Sequence, residues 1–591
     1  MIDLFVFNQI LVYIALAFIL LSLYLEWIGP TFTFLIAVSF LGLFNVLTPK
    51  EILTGFSNEQ IIVIILLLLL GDIIQKAHVV DRVFNLVFKK VKGYRSFLAQ
   101  MMALVAGFSA FLNNTPIVAV MMPYLHSWGK KNNVSVSKLM IPLSYAAILG
   151  GCATLIGTST NLIVNGMVVD SGMDSLGLFD FTIIGLTMVV IGILYMIFFG
   201  SKFLPAKRNV IDDFMENSRE YIIDAEIRKG SFLIGKTIEE AGLRNLQGLY
   251  LFEILRDDMV LSAVAPETIL LEGDFLFFTG ETTSVSDLIK PGSGLTLPNV
   301  GMLTRKKYTE VIEIVVSHNS TLINKTVKEA NFRGKYDSAI IAIHRNGERL
   351  QGKLGEIRLK AGDVLLLLAG SDLTNRSADS YDFYFISKVS EFRKKEGYKI
   401  ATLLIGTAVA IAISALGFIS LFMALIILLI VLISIGMAHP KDLPKSIDYN
   451  LAMIIAMSLA LGTAMINTGV AANISEVIIG VFKPLGILGL MFGLYFITTI
   501  LAAYITNKAS VAIIFPIAIS LATDLECSPV PFILITAFAS AANFMTPIGY
   551  QTNLMVYGPG GYAFKDYFKV GFPLTIIYMI ASVLILYVMY F

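Results

Sequence analysis

The sequence predicts an α-helical polytopic membrane protein: an inverted repeat of five spans plus one re-entrant hairpin per copy, with two small α/β cytoplasmic domains inserted between the copies. Three observations carry this. Hydrophobic residues make up 56% of the 591 and charged residues 15%, at a mean hydropathy of +0.78, which places the chain among integral membrane proteins. Of its 87 Lys, Arg, Asp and Glu, 54 fall between Ala206 and Gly397, marking the middle third as a soluble insert. Apolar segments on either side of that insert match one another at a spacing of 391–393 residues.

Taking the elements in order, apolar runs long enough to cross ~30 Å of hydrocarbon lie at about 4–26, 30–48, 60–77, 139–169 and 180–204 before the insert. Their counterparts after it lie at about 398–416, 418–437, 450–468, 528–557 and 571–591. The opening run lacks a basic start and a small-residue cleavage site, so a retained span is expected. Two more apolar stretches, 97–127 and 486–520, are interrupted midway by polar residues and are too short to cross twice at ~1.5 Å per residue. Each is expected to be a re-entrant hairpin, because non-helical backbone at membrane depth is tolerated only where protein or an aqueous cavity satisfies it. The first membrane half is then 1–205 and the second 398–591.

The hairpins align with each other. "FSAFLNNTPIVAVMMP" (108–123) pairs without a gap with "LAAYITNKASVAIIFP" (501–516), setting the tip Asn113-Asn114-Thr115 against Thr506-Asn507-Lys508. Further along, "ATLIGTSTNLIVNG" (153–166) pairs with "MTPIGYQTNLMVYG" (545–558), setting Gly157 against Gly549 and Thr160 against Thr552. An odd number of spans per copy inverts the second copy, and the basic loops agree. Lys89, Lys90, Lys92, Arg95, Lys130, Lys131, Lys138, Lys202, Lys207, Arg208, Lys441, Lys445, Lys565 and Lys569 fall on one face; Asp170, Asp174, Asp180, Asp524 and Glu526 fall on the other. The positive-inside bias puts the insert in the cytoplasm. The two tips then meet near the midplane.

The tips suit two charges at once. Amide, hydroxyl and helix-terminal N–H groups donate hydrogen bonds to an oxyanion, while exposed carbonyls at broken helix ends coordinate a small cation. The plainer role for Asn114, Asn507, Thr160 and Thr552 is to cap or join helices; their recurrence at symmetric positions favours a binding site. A net charge of +1 offers no surface for nucleic acid. Cys152 and Cys527, both in apolar segments, form neither a disulfide framework nor a metal site, and an enzyme reading finds no nucleophile–base pair.

The paired tips, "GTSTNL" and "FMTPIGYQTNLMVYGPGGY" resemble the divalent-anion:sodium symporter family of the ion-transporter superfamily, across both membrane halves. The resemblance implies an elevator-type carrier, homodimeric and multi-pass in the plasma membrane, with no covalent cofactor. Asn113, Asn114, Thr115, Thr160, Thr506, Asn507, Lys508, Thr546, Pro547 and Thr552 would hold the anion, and Ser109, Asn114, Gly157 and Asn507 sodium as coupling ion. The family's tips read Ser-Asn-Thr, so both tips here keep the central Asn while the second departs at Thr506 and Lys508. A lysine near the midplane is costly: Lys508 turns outward as a structural residue, pairs with the oxyanion, or replaces a coupling cation. Sulfate is the first substrate implied and a C4-dicarboxylate or citrate the second; a channel or ligand sensor on the same frame is the reading of another class.

Within the insert, "SFLIGKTIEEAGLR" (231–244) matches "STLINKTVKEANFR" (320–333), and "EGD" (272–274) matches "AGD" (361–363), all at a spacing of 89. The two modules, 220–288 and 309–378, resemble the C-terminal regulator (TrkA-C) domain of potassium-conductance regulators, which implies an unidentified small ligand or a dimer contact. "GSFLIGKT" (230–237) also satisfies the phosphate-loop pattern G-x-x-x-x-G-K-[ST]. The sister copy carries Asn319 and Asn324 in place of its glycines, so nucleotide hydrolysis is not expected.

Overall fold

The computed structural model describes residues 4–77, 87–207, 222–280, 295–296, 311–386 and 397–591, with short gaps inside these ranges. Lys89, Lys90, Lys92, Arg208 and Lys441 of the orientation argument lie outside the described residues. Helices begin where capping chemistry allows. Thr48 and Glu51 form a reciprocal capping box ahead of Pro49–Thr54, and Pro30 opens Pro30–Leu43, where its missing N–H costs nothing.

By length and apolarity, six of the described helical runs suit a membrane crossing: Leu4–Tyr24, Pro49–Ile74, Thr182–Phe203, Tyr398–Ala415, Val470–Tyr504 and Phe564–Tyr590. Several of the ten expected spans are shorter or divided. Pro30–Leu43 and Leu421–Ser434 have 14 residues each, about 21 Å at ~1.5 Å per residue; the first stops short of residue 48 as Asn45 takes a left-handed conformation, φ 57°. The run 139–169 is two helices, Met140–Gly151 and Ser159–Asp170, and 528–557 is likewise Val530–Ala541 and Gln551–Tyr557. Val470–Phe482 is a separate helix that the run-length argument passed over.

Each hairpin is a helix pair around a short polar turn. The first comprises Tyr94–Ser109 and Asn114–Asn132, the second Gly486–Tyr504 and Asn507–Asp524, extending past the limits 97–127 and 486–520. One apolar core unites both membrane halves, from Phe97, Met122 and Ile148 to Phe538, Val556 and Leu574.

The insert folds as two antiparallel five-stranded sheets, with order β3-β2-β4-β1-β5 and β10-β6-β9-β7-β8. The first is built from β1 Ile222–Ile227, β2 Leu249–Arg256, β3 Met259–Ser262, β4 Phe275–Gly280 and β5 Leu295–Thr296. The second is built from β6 Val311–Val316, β7 Ser338–Arg345, β8 Glu348–Arg349, β9 Val364–Ala369 and β10 Phe383–Phe385. β1, β2 and β4 fall 89 residues before β6, β7 and β9. The edge strands β5 and β10 lie beyond the expected limits 288 and 378, and the described helices of the second unit, Phe332–Tyr336 and Leu373–Ser377, have five residues each. Among the described residues the second unit therefore pairs its sheet with single helical turns.

The EGD/AGD repeat is structural. Gly273 and Gly362 adopt φ 81° and 84°, turning the chain so that Asp274 and Asp363 accept paired hydrogen bonds of 2.7–2.8 Å from Arg256 and Arg345. Such bidentate pairs fix geometry as well as charge. The second sheet also seats on the membrane helices. Val315, Val364 and Ile386 belong to the membrane core, and a Cβ on Gly558 would lie 2.5 Å from the Gly362 carbonyl oxygen.

Asp382, 4% exposed, accepts hydrogen bonds from Lys335 (2.7 Å), Thr321 and Tyr336 at the edge of the second sheet. Burial alone would raise its pKa; the hydrogen bonds outweigh that and hold it at about 2. Because this lies below the unfolded value of about 3.9, the carboxylate's contribution is complete above that value and is lost as pH falls through the folded pKa. Hydrogen exchange of the full chain, corrected for intrinsic rates, should show β6 and β9 losing protection as pH drops from about 4 towards 2. Asp382→Asn should show the loss already at pH 7, and equal protection in both proteins would sink this account.

Candidate functional site

The site is assembled from the two hairpin tips and the two helix breaks. At the first tip Asn113 caps the second arm, its side chain accepting from Thr115 N at 3.3 Å. The Asn114 carboxamide that follows is buried. Its Nδ2 donates to the Tyr550 hydroxyl at 2.7 Å, while its Oδ1 has no hydrogen-bond partner. Thr115 Oγ1 donates to Gln551 Oε1 at 3.2 Å, and Thr158 Oγ1 lies 3.0 Å from the same Tyr550 hydroxyl. First tip, first break and second break thus converge on Tyr550.

Beside Asn114 lies an oxygen-lined cradle. A Cβ on Gly157 would sit 2.5 Å from Gly151 O, 2.9 Å from Ser109 O and 3.0 Å from Ala110 O; only glycine leaves room for these carbonyls. Gly151 faces the Asn114 carboxamide: a Cβ there would lie 2.7 Å from Nδ2 and 3.0 Å from Oδ1. Ser109 Oγ, like Asn114 Oδ1, is buried without a partner. Unsatisfied buried oxygens are rare and ask for an explanation; a small cation, which takes oxygen ligands, fits this donor set.

The breaks repeat a bonding pattern. Thr154 Oγ1 donates to Ala110 O and Asn161 Nδ2 to Thr154 O at 2.9 Å. Thr546 Oγ1 donates to Ala503 O at 3.1 Å and Asn553 Nδ2 to Thr546 O at 3.1 Å. Every partner is shifted by 392 or 393 residues. Thr552 is within 2.8 Å of Ser144 Oγ, Thr160 is buried with its hydroxyl unpartnered, and Pro547 is buried in the second break.

The second tip is different. Thr506 caps its arm by accepting from Ala509 N at 3.2 Å, and Asn507 Oδ1 accepts from Lys508 N at 3.2 Å. All three tip residues are half-buried. Sequence reasoning missed Tyr550, Gln551, Thr158, Ser144 and Asn543; the first two stood inside the quoted Tyr-Gln-Thr-Asn-Leu segment, but they have no like counterpart in the other half. The phosphate-loop match is a turn: Gly235 and its counterpart Asn324 both take positive φ, 84° and 64°, and Thr237–Glu240 and Thr326–Glu329 form reciprocal caps.

Two polar hairpin tips facing two helix breaks, inside a body of apolar helices, define a membrane solute transporter. The chain belongs to the citrate transporter family (CitMHS), whose profile matches residues 16–497 and 488–591. It is 31% identical to a protein of Chlamydomonas reinhardtii described as a proposed sulfur deprivation response regulator, over 93% of this chain and 96% of that one. It is 30% identical to an uncharacterized transporter of Synechocystis sp., over 97% and 96%. Sodium/sulfate cotransporter 2 of Chlamydomonas reinhardtii is 29% identical over 60% of this chain and 42% of its own length. These relatives make the chain a transporter rather than an enzyme.

Tyr550→Phe removes the hydroxyl shared by Asn114 and Thr158, leaving buried polar groups unsatisfied at a cost of about 1–3 kcal/mol. A lower melting temperature of the purified protein is the expected result. An unchanged one would mean that the hydroxyl is not holding tip and break together.

Proposed function

We propose that the protein is an elevator-type secondary carrier of small oxyanions, sulfate first, coupled to sodium. It sits in the plasma membrane as a homodimer, with inverted membrane halves and the sheet units in the cytoplasm as regulators for a small ligand. The observation that carries the coupling is that Asn114 donates Nδ2 to the Tyr550 hydroxyl, which also meets Thr158, while its Oδ1, like Ser109 Oγ, is buried without a partner. An oxyanion takes hydrogen bonds from Asn114, Thr115, Thr158 and Tyr550. A sodium ion takes Asn114 Oδ1, Ser109 Oγ and the carbonyls around Gly157. A cation at Oδ1 draws electron density from the amide and makes Nδ2–H a better donor, so each ligand raises the affinity for the other. Thr160, Thr552, Thr546 and Pro547 line the breaks, and the second tip closes the site through Thr506, Asn507 and Lys508.

The sulfur-related names among the relatives favour sulfate; the family's own name keeps citrate, and with it C4-dicarboxylates, as the second reading. A channel or sensor on the same frame differs in kind, because only a carrier shows counterflow of bound substrate. Proteoliposomes should take up labelled sulfate faster with an inward sodium gradient than without one, and unlabelled sulfate should compete better than succinate or citrate. Asn114→Ala should weaken sulfate binding at least tenfold, equivalent to about 1.4 kcal/mol. Stronger competition by citrate transfers the assignment to carboxylates, and flux without counterflow removes the carrier.

A further inference from the structure

Two membrane halves with matching break chemistry ought to present two equivalent cation cradles. They do not, and three positions differ in the same sense. Ser109, whose hydroxyl is unpartnered at the first cradle, corresponds to Ala502, which has no side-chain oxygen. Gly151, which leaves space beside Asn114, corresponds to Asn543. Thr115 corresponds to Lys508, which brings a formal positive charge to the second tip.

Asn543 decides the matter geometrically. It is 1% exposed, and its Nδ2 donates to Ala502 O at 2.8 Å, the carbonyl equivalent to Ser109 O. A Cβ on Gly549 would overlap that amide nitrogen, whereas one on Gly157 would meet three carbonyl oxygens. Ala503 O accepts from Thr546 Oγ1 just as Ala110 O accepts from Thr154 Oγ1 in the first half, but Asn543 O also accepts from Asn553 Nδ2 at 2.9 Å. A donor N–H₂ occupies the space where the first half presents acceptors.

We propose that the second half carries a built-in substitute for a cation: the Asn543 amide satisfies the carbonyls, and Lys508 supplies the charge. The protein then couples each anion to sodium at one cradle, around Gly157. This rests on the carrier reading above and specifies its stoichiometry at the level of the two cradles.

The test is sodium dependence of labelled-sulfate uptake in proteoliposomes, with the wild type as the primary measurement. A Hill coefficient of about 1 is expected, since the coefficient is bounded by the number of interacting sites. The triple variant Ala502→Ser, Asn543→Gly and Lys508→Thr restores the first half's pattern at all three positions and should raise it towards about 2. Gly151→Asn, which installs the second half's amide in the first cradle, should abolish sodium dependence. A wild-type coefficient of about 2 overturns the inference while leaving the sodium-driven carrier standing. Sulfate uptake indifferent to sodium overturns the coupling itself and this inference with it.

Discussion

The structure depends on how backbone groups are satisfied where helices break inside an apolar body. An unpaired carbonyl or N–H in such surroundings costs several kcal/mol, so each break has to bring its own partners. Here they are side chains. Asn161 bridges the first break to Thr154 O, and Asn553 bridges the second to Thr546 O and Asn543 O. Tyr145 donates to Phe544 O at 2.7 Å, and Thr182 to Ala153 O at 2.8 Å. With the breaks held this way, the helix ends can face inward, and the residues left over become available to ligands.

Much of the membrane architecture was legible because it rests on patterns that survive in one dimension. The hairpins and breaks show as polar interruptions, and their correspondence shows as a constant spacing. Span number was less legible. An apolar run measures how much chain tolerates lipid or core, not how much is one helix: the run 139–169 holds a helix, a break at 152–158 and another helix, every residue of the break being buried. Val470–Phe482 went unread because it runs on into the second hairpin with only Gly469 and the turn before Gly486 as punctuation. In the insert, the 89-residue repeat showed that two like units follow one another, and β1, β2 and β4 recur in β6, β7 and β9 at that spacing. β5 and β10 were not legible, since edge strands of two or three residues carry too little pattern to read.

The site shows the same division. Reading by symmetry picks out what recurs, so it singled out Asn114 and Asn507, Thr160 and Thr552. Apart from Thr506 and Lys508 at the second tip, it passed over what differs between the halves. Tyr550 stands where the first half has Thr158, yet it is Tyr550 that reaches across to the first tip. Asn543 stands where the first half has Gly151, and it alters the second cradle by the presence of one carboxamide. On the reading proposed above, a pseudo-symmetric frame has no need of identical halves, because binding an anion and a cation side by side calls for acceptors on one side and donors on the other.

The same asymmetry bears on the insert. The turn at Gly362, held by the Arg345–Asp363 pair, lies against Leu554 and Gly558, at the far end of the short helix that carries Thr552 and Asn553. β10 packs near the second arm of the first hairpin. The second sheet therefore touches both elements that Tyr550 and Gln551 join to the first tip. An effect of the insert on the site needs a contact whose strength differs between the carrier's two states. The contact is close: Gly558 sits against the Gly362 carbonyl and the Val364 side chain, and Gly362 against Leu554, and packing of this kind is lost over a displacement of an ångström or so.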